Sequence, residues 1–208
     1  MLMGISDRMR SSLESVTSSR GTRRFGIPGA LLACLAFASA PAGAKVFLSQ
    51  QEAIEAAFPA ADRVEETTTI LKAAQKEAIE KLSRSRLEGE LVTVFTGWKG
   101  EEILGYAQID VHQVRTLPEA FMTVLSPGGE VTSAQVLAFY EPLEYLPSER
   151  WFRQFFGVSK RDKLRLGYDI HGVSGATISA RVMTESVRRF LAIYQVLIEP
   201  ARAEKPAS

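Results

Sequence analysis

Apolar and polar positions change rhythm several times along the chain, and each rhythm predicts an element. Ser49 stands ahead of a short helical segment through Phe58; Glu52, three residues on, completes a capping-box pattern, and Pro59 ends it. Arg63 to Ile70 is rich in Thr and Val and reads as a first strand. Lys72 to Arg86, with Ala74, Ala78, Ile79 and Leu82 on one side, predicts a surface helix. Leu91 to Thr96 is alternating and β-branched, and Gly97-Trp98-Lys99-Gly100 has the composition of a turn. Ile103 to Val111 then alternates Ile103, Gly105, Ala107 and Ile109 with more polar neighbours, which predicts a hairpin with one buried face. A second hairpin runs from Ala120 to Leu125, through Ser126-Pro127-Gly128-Gly129, and back from Val131 to Tyr140. A Pro-containing loop over residues 141–147 leads to a short aromatic helix, Ser148 to Phe156. From Ile178 to about Ile198, apolar residues recur at Ile178, Val182, Val187, Phe190, Leu191, Tyr194, Leu197 and Ile198, a helical stripe fit to lie on a sheet. The expected class is α+β: an antiparallel meander of four to five strands packed with helices, closed by a long C-terminal helix. Residues 45–86 read as an N-terminal helical and strand segment, 87–199 as the main domain and 200–208 as a flexible polar tail.

Composition narrows the function classes. The 208 residues are 46% hydrophobic and 24% charged, enough to build a core. The formal net charge of +1 is unevenly spread: residues 1–44 carry five Arg against Asp7 and Glu14, which leaves a near-neutral body. Bulk electrostatic capture of nucleic acid is therefore not expected as the main activity. Cys34 is the only cysteine, so a disulfide framework, a cysteine zinc site and a protein-ligated iron–sulfur cluster are excluded. His112 and His171 are the only histidines, too few for a multi-histidine metal site.

The first 44 residues read as an address. Arg20, Arg23 and Arg24 precede an apolar run from Phe25 to Ala40, followed by Pro41-Ala42-Gly43-Ala44 with Ala at both small positions of an Ala-x-Ala site. This is the layout of a secretory signal peptide cleaved after Ala44. The run is 16 residues long, shorter than the roughly 20 that span a bilayer, although an uncleaved anchor remains an alternative. Leu31-Leu32-Ala33-Cys34 is a loose lipobox and Thr22-Arg23-Arg24-Phe25 a partial twin-arginine signal, so the signal type stays open. Cleavage after Ala44 would leave a mature protein without cysteine, suited to an oxidising extracytoplasmic or periplasmic compartment.

The densest chemical signal is His171-Gly172-Val173-Ser174-Gly175-Ala176-Thr177-Ile178-Ser179, just ahead of the last helix. Gly172 and Gly175 free the backbone for a tight turn and close ligand approach, and Ala176 leaves room. Ser174 and Thr177 offer hydroxyls where the unpaired amides of a helix N-terminus stabilise a phosphate. Such a loop can hold a phosphate non-covalently or present a hydroxyl for esterification. The plainer reading is an ordinary helix cap: Ser or Thr before the helix, Gly for the turn.

Ser174-Gly175-Ala176-Thr177, followed by Ile178-Ser179, resembles the Ser/Thr-Gly-Ala-Thr signature of the FMN-binding domain family. That domain occurs in the C subunit of the sodium-pumping NADH:quinone oxidoreductase, in the G subunit of the related ferredoxin-oxidising complex and in small exported bacterial proteins. The resemblance covers roughly Leu91 to Tyr194, within residues 87–199. It implies a flavin transferase that takes FMN from FAD and joins its phosphate to the last threonine, here Thr177. It further implies that Ser174, Gly175, Ala176 and Ile178 shape the flavin site. Phe139-Tyr140-Glu141-Pro142, followed by Trp151-Phe152-Arg153-Gln154-Phe155, partly matches the family's loop beside the flavin ring and the helix after it. Tyr140, Glu141 and Pro142 are accordingly expected near the ring. The family usually places Asp three residues before the Ser; here that position is His171, with Asp169 two residues further back. The implied function is an exported flavoprotein electron carrier whose donor and acceptor are unnamed, membrane-bound redox proteins among the candidates. A flavin-free exported binding module and a non-covalent FMN binder are the alternatives.

Other residues carry weaker expectations. Trp98, Tyr106 and Trp151 could stack on a ring but more often pack in a core. Arg115-Thr116, at the turn between hairpins, could meet a flavin phosphate or carbonyl or simply be solvated. His112 is expected at the surface at a strand end, and Arg188 and Arg189 on the solvent face of the last helix. Glu55, Glu65 and Glu66 read as charged surface. The sequence offers no nucleophile–His–Asp arrangement.

Overall fold

The computed structural model describes residues 45–204, so the expected signal segment and the last four residues of the tail lie outside it. Alternating β-branched and apolar residues form five consecutive strands: β2 (Arg63–Ile70), β3 (Leu91–Lys99), β4 (Glu102–Gln113), β5 (Pro118–Leu125) and β6 (Val131–Phe139). A two-residue strand, β1 (Lys45–Val46), pairs antiparallel with β6. One antiparallel sheet results, in the order β1-β6-β5-β4-β3-β2. It has six strands, one more than the upper expectation, because the chain just after Ala44 adds itself to the free edge of β6. The amides of Phe47 and Leu48 both donate to the Leu137 carbonyl, at 2.8 and 3.2 Å. Residues 45–86 thus supply both edges of the sheet.

Gly97 and Trp98 were expected in a turn and instead lie inside β3, with the turn displaced to Gly100 and Glu101. The cause is packing. A Cβ on Gly97 would sit 2.6 Å from the Phe58 ring, and one on Gly105, its cross-strand partner, 2.5 Å from the Leu125 carbonyl oxygen. The facing glycines leave the space that Phe58 fills.

The sheet is covered on both faces, not one. Helix α1 (Gln50–Ala57) starts with the expected capping box: Glu52 N–H donates to Ser49 Oγ at 3.3 Å, and Ser49 N–H donates to the Glu52 carboxylate at 2.8 Å. Its Ala53 and Ile54, with Phe58, bury Phe95, Ala107, Met122, Val124 and Leu137. The opposite face, with Val92, Val94, Tyr106, Phe121 and Leu125, meets α2 (Ala73–Ser83), α3 (Glu149–Phe152) and α4 (Thr177–Ile193). Ile79 is the buried apolar anchor of α2, whereas Leu82 is exposed. The helix stops at Ser83, short of Arg86, because Arg84 turns left-handed at φ 55°.

The apolar stripe of α4 packs as expected, with Val187, Phe190, Leu191 and Tyr194 buried in the core. The chain then widens into a π-helical turn, Tyr194–Ile198, and continues as α5 (Glu199–Glu204). Part of the expected tail is therefore helical. Tyr194 Oη donates to the Pro127 carbonyl at 2.8 Å, and Arg202 donates to the same oxygen, which ties this extension to the β5–β6 turn. No described helix is long and apolar enough to cross a membrane.

Candidate functional site

The loop ahead of α4 is fixed from below by α3. Trp151 packs edge-on against Phe152 and Phe155, with ring centroids 5.2 Å apart in each pair. Its indole N–H donates to the His171 carbonyl at 2.7 Å, while the Gln154 side-chain oxygen accepts the His171 amide at 2.8 Å. Beyond this anchor, the Val173 carbonyl accepts both the Ala176 amide at 3.1 Å and the Thr177 hydroxyl at 3.3 Å. Gly175 closes the turn at φ 82°, a conformation that side-chain-bearing residues rarely adopt. Gly172 has an ordinary φ and open space around it, so its backbone makes no such demand.

The N-cap of α4 is Ala176, and no side chain among the described residues caps the helix. Neither Ser174 nor Thr177 does what the ordinary-cap reading requires. The amides of Thr177, Ile178 and Ser179 therefore have no acceptor among the described residues. They carry the positive end of a 17-residue helix dipole.

These amides open onto a cavity of about 240 Å³ lined by Gly175, Ala176, Thr177, Ile178 and Ser179 on one side and Arg115 and Tyr145 on the other. The Arg115 guanidinium lies over the Tyr145 ring, 4.5 Å from its centroid. Glu141 determines where Arg115 sits. One carboxylate oxygen of the buried Glu141 accepts the amides of Arg115, Thr116 and Leu117 at 3.2, 2.7 and 2.9 Å. These bonds, led by that from Thr116, hold the Glu141 carboxyl below its ordinary range. Pro142 opens the 3₁₀ turn Leu143–Tyr145, which delivers Tyr145 to the cavity.

The structure thus brings Gly175, Ala176, Thr177 and Ile178 together with Arg115. Ser174 is exposed and outside the lining. Tyr140 is half-buried and does not reach the cavity, and Glu141 and Pro142 serve it indirectly, through the loops they hold. Two lining residues had been given no role: Tyr145, inside an uninformative Pro-containing loop, and Ser179, buried with its hydroxyl unpartnered. Asp169 is committed to its own loop, accepting the Arg165 amide at 2.9 Å and its guanidinium at 3.1 Å. Those bonds lower its pKa. His171 is exposed and engaged only through its backbone. Trp98 lies beside Arg63 at the β2–β3 edge, Tyr106 packs edge-on to Tyr194, and Trp151 is core, so none of the three lines the cavity.

Three polar expectations are corrected. His112 is buried, not at the surface, and so is its cross-strand partner Glu119. His112 Nδ1 lies 3.4 Å from Asp110 Oδ2, and His112 Nε2 lies 3.9 Å from Glu119 Oε1. Arg189 turns inward to meet Asp110 at 2.6 Å, and Arg188 donates to the Leu164 carbonyl at 3.3 Å. These side chains lie on the sheet face that α4 covers, so alternation that looked solvent-facing is interior. Burial, reinforced by the charge of Asp110, pushes Glu119 up to about 8. Burial alone would raise Asp110 as well, but His112 and Arg189 outweigh it and hold Asp110 low.

Among the described residues, no group of three or more His, Cys, Asp or Glu is placed to hold a metal ion. No protein-family model matches the chain, and none of the curated proteins compared with it matches.

Proposed function

We propose that the protein is an exported flavoprotein that carries FMN esterified through its phosphate to Thr177 and passes electrons between partners outside the cytoplasm. The observation that carries the reading is the surroundings of the Thr177 hydroxyl. It stands at the first residue of α4, beside unpaired amides, on a cavity whose far wall holds a guanidinium. The residues fit the group: a phosphate ester there would meet the helix dipole and the Arg115 charge together. That neither motif hydroxyl caps the helix weighs against the flavin-free reading, in which capping is the motif's whole purpose.

When bound, FMN supplies the redox chemistry, accepting and releasing one or two electrons. The chain contributes the tether and the binding surface. Thr177 exchanges its hydrogen bond to the Val173 carbonyl for the ester bond. Attachment would form an Oγ–P bond at Thr177 and break the P–O bond to the AMP half of FAD, with AMP leaving and the hydroxyl proton passing to solvent; a flavin transferase is the implied partner. Arg115, fixed by Glu141 and flattened on Tyr145, provides the counter-charge. A covalent link is useful outside the cytoplasm, where a dissociated cofactor is lost. The pattern of residues 1–44 supports export, and membrane anchoring through that segment is part of the same question.

Absorption and fluorescence of protein purified from its native compartment test the reading. The expected result is a yellow protein whose flavin fluorescence stays with the polypeptide after acid precipitation and denaturing electrophoresis. Colourless protein from a host with a cognate transferase overturns it. Colour that washes out in denaturant favours the non-covalent alternative.

A further inference from the structure

A second cavity lies away from the Thr177 motif, where the C-terminal end of α2 meets α4 and the 160–163 loop. It has a volume of about 150 Å³, and five cationic side chains line it: Arg84, Lys160, Arg161, Lys163 and Arg188. The one carboxylate in the lining is already engaged, since Asp162 accepts the amide and hydroxyl of Ser159 at 2.9 and 3.1 Å. Lys160 is paired with Glu199. Arg84, Arg161 and Lys163 make no salt bridge among the described residues.

Two features set this cleft apart from an ordinary basic surface. Arg84 holds a left-handed backbone at the C-cap of α2, a position where glycine is the easy residue and an arginine is strained. Arg188, on the facing helix, is largely buried: it donates to the Leu164 carbonyl at 3.3 Å and lies 4.0 Å from the Glu185 carboxylate, while its Nε has no partner among the described residues. Burial lowers the Arg188 pKa, Glu185 offsets part of that, and the Arg84 and Arg189 charges add to the lowering. Arg84 and Arg188 thus border one concavity with Arg161 and Lys163, and Arg84, Arg161 and Lys163 have no salt-bridge partner there among the described residues.

We propose that this cleft is a binding site for a phosphate group, with Arg84 and Arg188 as its two opposed guanidinium walls and Arg161 and Lys163 at its rim. Guanidinium forks suit a tetrahedral oxyanion and can bind it in bidentate fashion. Leu191 and Ala192 make the floor apolar, which suits a phosphate carried as an ester. The ester's source is either a soluble metabolite or a phospholipid headgroup. The proposal is independent of the flavin reading, because the site shares no residue with the Thr177 cavity.

The test is titration calorimetry of the purified protein with inorganic phosphate at low ionic strength, alongside sedimentation with vesicles of phosphatidylglycerol or of phosphatidylcholine alone. The decisive variant is Arg84→Gly, which removes the guanidinium while relieving the left-handed backbone. Saturable phosphate binding with one site per chain is expected, weakened at least tenfold in Arg84→Gly, whose melting temperature equals or exceeds that of wild type. Lys163→Gln should weaken binding several-fold, a second reading should Arg84→Gly not fold. Co-sedimentation with phosphatidylglycerol vesicles that depends on Arg84 assigns the headgroup source; phosphate binding without it assigns a soluble ester. Absence of saturable phosphate binding, equal heats from chloride at matched ionic strength, or unchanged affinity in both variants overturns the proposal.

Discussion

Glu119 makes the buried polar layer between β4, β5 and α4 measurable. It is fully buried, so solvent does not soften its environment. The groups facing it are Asp110 and His112 on β4, with Arg189 of α4 bound to Asp110. Its pKa rises from 4.5 to about 8, first through burial and then through the Asp110 charge. That shift corresponds to a preference on the order of 5 kcal/mol for the neutral carboxyl in the folded state. Because the folded value is the higher one, the stabilisation is fully present below about pH 4.5 and is lost as pH rises through about 8. By pH 7 the loss amounts to roughly 3 kcal/mol. The carboxyls held low, Asp110 and Glu141, act the other way: their contributions are present above the ordinary carboxylate range and disappear as pH falls below it. Glu119→Gln keeps the shape and removes the titration. Urea unfolding followed by tryptophan fluorescence between pH 5 and 8, at fixed ionic strength, should show wild-type stability falling with pH and the Gln variant nearly flat. The two should be close at pH 5, with the variant roughly 4 kcal/mol more stable at pH 8. A slope that survives in the variant does not belong to Glu119. A wild-type profile that is flat or rises over this range, or a Gln variant that keeps the full slope, refutes the reasoning.

Three further outcomes are expected. Phe190→Ala, at a fully buried position of α4, should cost about 3–5 kcal/mol in denaturant melts, and a near-neutral effect would place α4 elsewhere. Gly105→Ala drives a methyl to 2.5 Å from the Leu125 carbonyl oxygen and should destabilise by about 1–3 kcal/mol, whereas the same change at Gly172, with open space around it, should be nearly silent. Glu141→Gln weakens the bonds that hold residues 115–117; it should cost about 1–3 kcal/mol and speed amide hydrogen exchange at Arg115–Leu117 above that of the remaining sheet.

The meander and the long last helix were legible because their periodicities are local. The strand-to-strand turn at Gly97 was misplaced because glycine signals a turn when read locally. Here it answers instead to Phe58, 39 residues earlier in the chain. His112 and Arg189 were misread for a related reason. Gln108, Asp110 and His112 alternate with apolar residues just as a solvent-facing row does, and only the α4 helix above them makes that row interior. In the site, Thr177 and its glycine turn stood out because the motif is contiguous. Arg115, Tyr145 and the supporting carboxylate of Glu141 come from two separate loops that converge only once β4, β5 and β6 are paired. The helix over Glu199–Glu204 was missed because its polar sequence carries no apolar stripe to signal it, although Arg202 reaches the Pro127 carbonyl.

The central claim is the ester on Thr177, and peptide mass mapping tests it most directly. Wild type, Ser174→Ala and Thr177→Val would each be co-expressed with a cognate flavin transferase, denatured, digested and analysed. The account predicts that the wild-type peptide containing Thr177 gains the mass of one FMN less one water. Ser174→Ala should retain the adduct, and the folded Thr177→Val protein should lack it. An acid-stable flavin that persists in Thr177→Val, an adduct mapped to another residue, or a wild-type protein that never acquires one would contradict the account.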